Sequence, residues 1–328
     1  MESKKYTLRI QRNEQNSDGS IASKWQDFTV EGLDTTTILS FLEDIKGNQD
    51  GSLTFRQSCR SAICGSCAMR IGDRTRLACK THIGEVVDEN GVVDISPQRN
   101  QPVLKDLVID IDPFFEKIRK IRPYLTEGED SDTHVGASAY DQVNHVTQCI
   151  MCGSCYSDCT MSEVSDEYLG PAALAKAFRF VSDPREGKKT ARLKALSKDH
   201  GMWSCVRCVQ CVATCPKDVK PMEAIVKLRT RGIEKGFVKG VGQRHALAFH
   251  EDINKSGDLN EFTLLTRSVG IFGSIAEMGV AFHLMQKGKI PSPFPHKAEG
   301  IQEVRAMYHE LEANPLDVET KAAEVEPE

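Results

Sequence analysis

The hydrophobic and polar positions in the first part of the chain alternate over short segments. Residues 5–12 alternate and predict a strand, and residues 24–30 predict a second strand. The Asp18-Gly19 dipeptide between them favours a tight hairpin, because glycine tolerates the backbone angles that such turns need. The chain therefore opens with a predicted antiparallel pair.

One helix and three short strands complete this first region. A helix should begin at Thr35 or Thr36, whose hydroxyls can cap it, and continue to about Lys46. Its apolar residues recur at helical spacing and predict one buried face. The short predicted strands are Ala68–Ile71, Arg76–Leu77 and Val92–Ile95.

Beyond residue 110 the apolar spacing becomes helical. Asp112–Leu125 predicts a helix with a proline in its first turn, and the polar residues 126–138 predict a linker. Further helices are predicted at Pro171–Val181, at 185–199, and from Pro221 or Met222 to about Ile233. We expect four regions: residues 1–110, a helix and linker over 111–139, residues 140–245, and a helical extension over 246–328 with a disordered acidic end.

Composition narrows the class of protein. The 328 residues are 40% hydrophobic and 27% charged, which is typical of globular chains. A net charge of −5 leaves no basic excess to neutralise phosphates, so we expect no nucleic-acid partner. The first ten residues hold no apolar segment of the secretory type, so we expect no signal peptide there and a reducing compartment.

All twelve cysteines fall into three groups of four. The first group has the spacing C-x4-C-x2-C-x11-C, and its members are Cys59, Cys64, Cys67 and Cys79. The second group has the spacing C-x2-C-x2-C-x3-C, and its members are Cys149, Cys152, Cys155 and Cys159. The third group repeats that spacing 56 residues later, before a proline, and its members are Cys205, Cys208, Cys211 and Cys215.

Three kinds of chemistry compete for these cysteines. Disulfides are disfavoured, because neighbours two residues apart rarely pair and a chain without a signal meets a reducing environment. Structural zinc sites use Cys-x2-Cys pairs with a longer gap between the pairs. Iron–sulfur clusters fit all three groups, since the first spacing is the plant-type pattern for a 2Fe–2S cluster and the others are the bacterial 4Fe–4S pattern.

The ligand sets follow from the behaviour of two-cluster ferredoxins, in which the fourth cysteine of each run binds the other cluster. Applied to this chain, the ligands of one 4Fe–4S cluster are Cys149, Cys152, Cys155 and Cys215. The ligands of the second 4Fe–4S cluster are Cys159, Cys205, Cys208 and Cys211. The 2Fe–2S cluster takes the whole first group, in a loop where Gly65 is the residue expected to need an unusual backbone angle.

These elements predict an α+β fold. Two strands, a helix, a cysteine-bearing loop and further short strands are typical of a β-grasp 2Fe–2S ferredoxin domain. The later helices and the two 4Fe–4S runs indicate an all-α helical ferredoxin domain, followed by the helical extension.

Residues 1–245 resemble the iron–sulfur subunit of succinate dehydrogenases and fumarate reductases. The resemblance rests on the segment Cys59–Met69 (CRSAICGSCAM), on Leu77–Cys79, and on Pro216-Lys217 after the last cysteine. It implies an electron-transfer subunit between a FAD-containing subunit, which handles succinate and fumarate, and a membrane partner that handles quinone. It also implies that the 2Fe–2S cluster faces the flavoprotein, with one 4Fe–4S cluster proximal to it, in the middle, and the other distal.

The chain departs from the common members of that family around the distal cluster. Common members carry another residue in place of Cys208 and hold a 3Fe–4S cluster there, whereas a fourth thiolate implies a complete 4Fe–4S cluster. The extra negative charge should lower the reduction potential. Residues that help form the quinone pocket in the family are replaced by Thr160, Val164 and Val206, so we do not expect the usual pocket in this subunit. Trp203 is offset from the family's position, and we expect it to pack in the core.

The last part of the chain, residues 246–328, extends past the usual end of the family. The stretches His245–Glu261 and Gly288–Gly300 are similar, through scattered identities, to the tail of the heterodisulfide reductase subunit that feeds electrons to a partner with cysteine-rich CCG domains. That similarity implies a partner of the same CCG-domain kind in place of the usual anchor. The alternative function is therefore an iron–sulfur subunit of a thiol:fumarate or heterodisulfide reductase type of complex.

Residues 268–286 hold one charged side chain, Glu277, and are long enough to cross a bilayer. A glutamate at mid-membrane is costly, so we expect a helix docked on a partner subunit, or packed on its own domain, rather than a span. We expect a peripheral membrane complex on the cytoplasmic side. Co-export with a partner that carries a signal would instead place it on the periplasmic side.

No residue has the pattern of a substrate acid, base or nucleophile, so the chain should be a subunit of an oxidoreductase with no catalytic site of its own. A non-enzymatic iron–sulfur sensor is the remaining alternative. Regulators of that kind usually carry a basic DNA-binding element, and the composition disfavours one.

Overall fold

The computed structural model describes residues 3–16, 18–126, 135–198, 200–276, 278–289, 292 and 296–314. The N-terminal region is a five-stranded mixed sheet in the order β2-β1-β5-β3-β4, in which only the β1–β5 pair is parallel. Its strands are β1 (Lys4–Gln15), β2 (Ile21–Gly32), β3 (Ala68–Ile71), β4 (Arg74–Leu77) and β5 (Val92–Ser96).

Helix α1 (Ile38–Asp44) covers the sheet and continues into one wider turn over Ile45–Gln49. Its apolar face packs on the inward residues of β1, of which Leu8 and Ile10 are fully buried. The cap differs from the sequence prediction: Thr37, rather than Thr35 or Thr36, accepts a hydrogen bond from the Ser40 N–H.

A small hairpin that the sequence analysis did not predict follows the sheet, with strands β6 (Val103–Lys105) and β7 (Val108–Ile109). Helix α2 (Asp112–Lys120) ends five residues before the predicted Leu125. Arg122 has a positive φ of 52° and immediately precedes Pro123. Proline disfavours the helical conformation in the residue before it, so the helix ends here. Most of the predicted linker lies outside the described residues.

The second region is all helical, which confirms the predicted α+β class for the chain. Its helices are α3 (Ala137–Thr147), α4 (Ser154–Ser157), α5 (Thr160–Val164), α6 (Pro171–Ser182), α7 (Lys189–Leu196), α8 (Gln210–Ala213) and α9 (Pro221–Glu234). Helices α6 and α9 pack together at the centre, where Leu174, Phe178 and Leu228 are fully buried. Both helices begin with the proline that the sequence predicted.

The described part of the C-terminal extension contains helices α10 (Val241–Ser256), α11 (Glu261–Ala276), α12 (Met278–Gln286) and α13 (Ile301–Ala313). Helix α10 packs against both α11 and α13. Arg267 of α11 forms ion pairs with Glu251 and Asp252 of α10. Glu277 and the acidic end of the chain lie outside the described residues.

Within the described ranges, no single helix is both long and apolar enough to cross a membrane. The pair α11 and α12, which meet at an angle of 89°, passes that test together by length and composition only. Helix α11 is itself interrupted at Gly270, whose φ of 82° is not helical.

Candidate metal-cluster sites

Site 1 consists of Cys59, Cys64, Cys67 and Cys79, which the loop between α1 and β3 and the end of β4 bring together. The backbone N–H groups of Ser61, Ile63 and Cys64 all donate to Cys59 Sγ, at N···S distances of 3.3–3.4 Å. The Ala62 N–H donates to Cys79 Sγ at 3.3 Å. This loop therefore concentrates hydrogen-bond donors on sulfur atoms.

Backbone conformation produces that convergence. Arg60 and Ala62 both have positive φ, 56° and 55°, so successive peptide N–H groups turn towards the inside of the loop. Such alternation of right- and left-handed residues makes a concave, anion-binding nest. Gly65 has φ of 76°, which confirms the unusual angle that the sequence analysis expected for it.

The thiols of site 1 lie in unequal environments. A hydrogen bond with Ser66 Oγ at 3.1 Å, together with backbone donors, lowers the pKa of Cys64 to about 6. Burial raises the pKa of Cys67 to about 12, and its neighbours Cys79 and Cys64 add to the increase. A bound metal ion deprotonates a coordinating thiol, so a metal group would remove this inequality.

Two further cavities lie in the helical region, and each is lined by four cysteines. The cysteines of site 2 are Cys149, Cys152, Cys155 and Cys215. The cysteines of site 3 are Cys159, Cys205, Cys208 and Cys211. Each cavity therefore takes three cysteines from one run and the last cysteine of the other, which is the exchanged arrangement expected from the spacing.

The two runs share one backbone pattern at an offset of 56 residues. Met151 and Arg207 have φ of 54° and 58°, and Gly153 and Val209 have φ of 79° and 66°. Each pair precedes a short helix, α4 or α8, and these two helices pack against each other. Val209 is β-branched and rarely adopts such an angle, so the third run holds local strain where the second run has glycine.

Burial differs along the three sites. Cys64 and Cys208 are exposed at the surface, whereas Cys67, Cys159 and Cys211 are buried. The cysteines of site 2 are partly buried, and burial raises the pKa of Cys155 well above the ordinary value. Repulsion from Cys211, a cysteine of site 3, contributes to the pKa increase of Cys155 in site 2. Sites 2 and 3 are thus close enough for direct electrostatic coupling.

Sites 1 and 2 also touch. A Cβ atom on Gly65 would lie only 2.6 Å from Cys152 Cβ. The two loops therefore approach so closely that a side chain at residue 65 would force one of them to shift. Gln98 Nε2 donates to both the Ala68 and Cys152 carbonyl oxygens at 3.1 Å, and so joins the loop of site 1 to that of site 2. Asn100 Nδ2 donates to three carbonyl oxygens of the second run, including that of Cys159.

A buried carboxylate fixes the sheet against both cysteine runs. Asp158 accepts hydrogen bonds from the backbone and side chain of Thr75 at 2.7 and 2.8 Å, from Arg70 at 3.1 Å and from Thr214 at 2.9 Å. Thr214 also donates to the Thr75 carbonyl oxygen at 2.8 Å. The sequence analysis missed this network, because residues 70–75 and 214 show no common signal along the chain.

Site 3 contains polar groups that the sequence analysis also missed. The hydroxyls of Ser162 and Tyr168 are buried beside it and have no hydrogen-bond partner among the described residues. Arg229 is buried, donates to the carbonyl oxygens of Met202 and Cys205, and lies over the Trp203 ring at 4.9 Å. Trp203 packs on the core, as its offset position predicted.

Known protein families match both regions of the chain. The family described as 2Fe-2S iron-sulfur cluster binding domain matches residues 7–116, and the family described as 4Fe-4S dicluster domain matches residues 145–219. The 8-methylmenaquinol:fumarate reductase iron-sulfur subunit of Wolinella succinogenes is 37% identical over 269 residues, which cover 79% of this chain and 84% of that protein. The chain belongs to the family of succinate dehydrogenase and fumarate reductase iron–sulfur subunits.

Other members of the family match a smaller share of the chain. The fumarate reductase iron-sulfur subunit of Haemophilus influenzae is 36% identical over 58% of this chain and 79% of that protein. The succinate dehydrogenase iron-sulfur subunit of Paracoccus denitrificans is 37% identical over 60% of this chain and 77% of that protein. The chain is thus an electron-transfer subunit of an oxidoreductase complex, as the sequence analysis predicted.

The same fold occurs in a solved structure, the Mycobacterium smegmatis Sdh1 complex in the apo form. One of its chains superposes with a TM-score of 0.64 and 24% identity, over 72% of this chain and 98% of that one. This likeness supports the arrangement of a mixed-sheet domain followed by a helical domain.

The residues of the three sites fit the iron–sulfur groups that this family implies. Every site offers four thiols, and backbone N–H groups also point at the sulfurs of Cys205 and Cys215 in sites 3 and 2, at 3.4 Å. Buried thiols with raised pKa values, such as Cys155 and Cys211, remain protonated at neutral pH unless a metal binds them. The buried Arg229 cation beside site 3 would be balanced by an anionic cluster.

Proposed function

We propose that this chain relays single electrons between a FAD-containing catalytic subunit and a membrane-associated cysteine-rich or quinone-reactive subunit of a succinate dehydrogenase/fumarate reductase complex. Sites 1, 2 and 3 hold one 2Fe–2S cluster and two 4Fe–4S clusters, which supply one-electron redox chemistry. The chain's own residues hold the clusters at fixed separations and set their potentials.

The observation that carries this proposal is the order of contact and exposure. Site 1 touches site 2 through Gly65 and Cys152, and site 2 is coupled to site 3 through Cys155 and Cys211. The exposed cysteines lie toward the two ends of this series, at Cys64 in site 1 and Cys208 in site 3, whereas the four cysteines of site 2 are all partly buried. Such an arrangement suits one partner at each end.

The test is electron transfer within the assembled complex. The tagged chain is co-purified with its flavoprotein, reduced anaerobically with dithionite, and mixed with fumarate in a stopped-flow instrument. We expect cluster absorbance to recover at the rate at which fumarate is consumed. A complex that contains FAD and all three clusters, yet leaves the clusters reduced in the presence of fumarate, contradicts the proposal.

Site 3 supports a variant of the family with a complete distal 4Fe–4S cluster, rather than the common form with a 3Fe–4S cluster. Cys208 supplies a fourth thiol, so we assign a complete 4Fe–4S cluster to the distal position. The relative named 8-methylmenaquinol:fumarate reductase iron-sulfur subunit matches a larger share of this chain than the two other relatives do, 79% against 58–60%. We therefore propose that the C-terminal extension docks on the membrane-associated partner, and that this partner is a subunit of the cysteine-rich CCG-domain type.

Substitution of Cys208 tests the cluster type. The Cys208→Ala variant should lose one iron from site 3 and show a 3Fe–4S signal in low-temperature EPR of the oxidised protein, which the unmodified protein should lack. Val206→Ala, an exposed change in the same loop, should behave like the unmodified protein. A strong oxidised-state 3Fe–4S signal in intact, anaerobically purified protein would overturn the assignment.

We place the complex on the membrane through its partner, on the cytoplasmic side. The apolar, exposed faces of α11 and α12 support contact with a partner at the end of the molecule that carries the extension. Fractionation of cells with a tag on the chain, followed by protease treatment of intact spheroplasts, tests the side. Digestion of the chain in intact spheroplasts would place it on the periplasmic side instead.

A further inference from the structure

Among the described residues, Tyr168 is the largest fully buried side chain, with 1% of its surface exposed. It lies just before α6 and lines the cavity of site 3 together with the four cysteines. Its hydroxyl group is buried and has no hydrogen-bond partner within the described part of the chain. An enclosed donor without an acceptor is unusual in a folded protein, and calls for an explanation.

Tyr168 and Cys205 line the same cavity, so the unpartnered hydroxyl shares that space with a ligand sulfur. A phenol hydroxyl carries its proton at neutral pH and is a hydrogen-bond donor. When Cys205 is a thiolate bound to iron, its sulfur is a hydrogen-bond acceptor in the position where the hydroxyl lacks one.

A second side chain repeats the arrangement on another ligand. The Ser162 hydroxyl is also buried, lacks a partner among the residues that the structure describes, and lies beside Cys159. Two of the four sulfurs of site 3 thus have an enclosed hydroxyl next to them. At site 2, by comparison, Ser154 Oγ lies 3.2 Å from Cys152 Sγ and is partnered.

We propose that the Tyr168 hydroxyl donates a hydrogen bond to the Cys205 thiolate of the loaded site 3 and thereby raises the reduction potential of the distal cluster. The inference rests on the proposed function, since it requires a cluster in that site. Reduction adds negative charge to the cluster, and a donor to a ligand sulfur stabilises the reduced form more than the oxidised form. The hydrogen bond offsets part of the lowering of potential that the fourth thiolate, Cys208, brings.

The test is an EPR-monitored redox titration of the assembled complex with Tyr168→Phe, which removes the hydroxyl and retains the ring. We expect the midpoint potential of the distal cluster to shift downward, while the midpoint potentials of the other two clusters and the iron content stay unchanged. Tyr140→Phe is the control, because Tyr140 is exposed on α3 and lines neither site 2 nor site 3. It should leave all three midpoint potentials unchanged.

An unchanged distal midpoint in Tyr168→Phe with full iron content would overturn the inference. If that variant loses its cluster, pulsed EPR of the unmodified complex and of a Ser162→Ala variant in H2O and D2O decides instead. A strongly coupled exchangeable proton at the distal cluster that Ser162→Ala retains, in addition to that of the Arg207 N–H, supports the hydrogen bond, and the absence of such an additional proton contradicts it. A 3Fe–4S cluster found in site 3 would refute the assigned cluster type, whereas the hydrogen-bond test would proceed on that cluster.

Discussion

Gly65 is a residue at which the sheet domain and the helical domain approach closely. It combines a φ of 76° with a Cβ position that Cys152 already occupies. The unusual backbone angle expected at Gly65 was confirmed. The contact with Cys152, 87 positions along the chain, has no signal in the sequence.

Alanine at residue 65 would introduce backbone strain and overpacking. We expect Gly65→Ala to lower the free energy of unfolding by about 1–2 kcal/mol through left-handed strain, and by about 1–3 kcal/mol more through overpacking against Cys152. Gly236→Ala is the control, since Gly236 also has φ of 76° but open space around it, so only the strain applies. Thermal unfolding at a fixed scan rate measures both. Equal shifts in the two variants would show that the contact with Cys152 is not tight.

At the scale of elements, one aspartate joins strand β4 to the two cysteine-bearing helices. Asp158 follows α4 directly, accepts from Thr75 in β4, and accepts from Thr214 directly after α8. Its side chain is buried and its charge is opposed by Arg70 at 3.1 Å. The predicted strands and helices themselves were largely correct, but their mutual placement depends on this network.

Removing the charge should loosen the joint between the domains. We expect Asp158→Asn to destabilise the protein by about 3 kcal/mol, because Arg70 is left buried without its partner and one acceptor becomes a donor. Asp73→Asn, which affects an exposed pair with Arg76 at 3.0 Å, should cost no more than about 1 kcal/mol. Urea unfolding followed by cluster absorbance and by tryptophan fluorescence compares them. A cost for Asp158→Asn as small as that for Asp73→Asn would contradict the role assigned to the network.

At the scale of the whole molecule, the extension exposes an apolar surface that the domains do not cover. The large apolar side chains exposed on α11 and α12 are Phe262, Leu265, Ile271, Phe272, Ile275, Met278, Val280, Phe282, Leu284 and Met285. So many exposed apolar side chains on two neighbouring helices indicate an interaction site rather than ordinary scatter. From the apolar run alone we expected a helix docked on a partner subunit or packed on its own domain, and the bend between the two helices differs from a single straight span.

A charge on this surface should weaken assembly without unfolding the chain. Phe272 is 89% exposed, so Phe272→Glu should change stability by no more than about 0.5 kcal/mol. We expect this variant to retain the flavoprotein and to be released from the membrane fraction during purification. Met307→Glu, an exposed change on α13, should remain with the membrane fraction. Equal membrane retention of both variants would exclude α11 as the docking surface.

The sequence by itself determined the local chemistry of this protein. Cysteine spacing depends on which residues can reach one cluster from one loop, so it predicted three four-cysteine sets before any fold was known. Alternation and helical periodicity predicted the strands and the helices of both domains, because each depends on neighbours a few residues away. The hairpin over 103–109 and the end of α2 were missed, since turn geometry there is set by packing and by a left-handed residue.

The tertiary structure decided how the local units face one another. Close packing brings Gly65 to Cys152, Asp158 to Thr75, and Tyr168 to site 3, and none of these pairs shares a local pattern. Folding also sets the exposure of the ligands: it leaves Cys64 and Cys208 at the surface and buries Cys159 and Cys211. Contacts between distant positions depend on the shape of the folded chain, and so the exposure of the sites and the hydroxyl beside Cys205 could be read only from the fold.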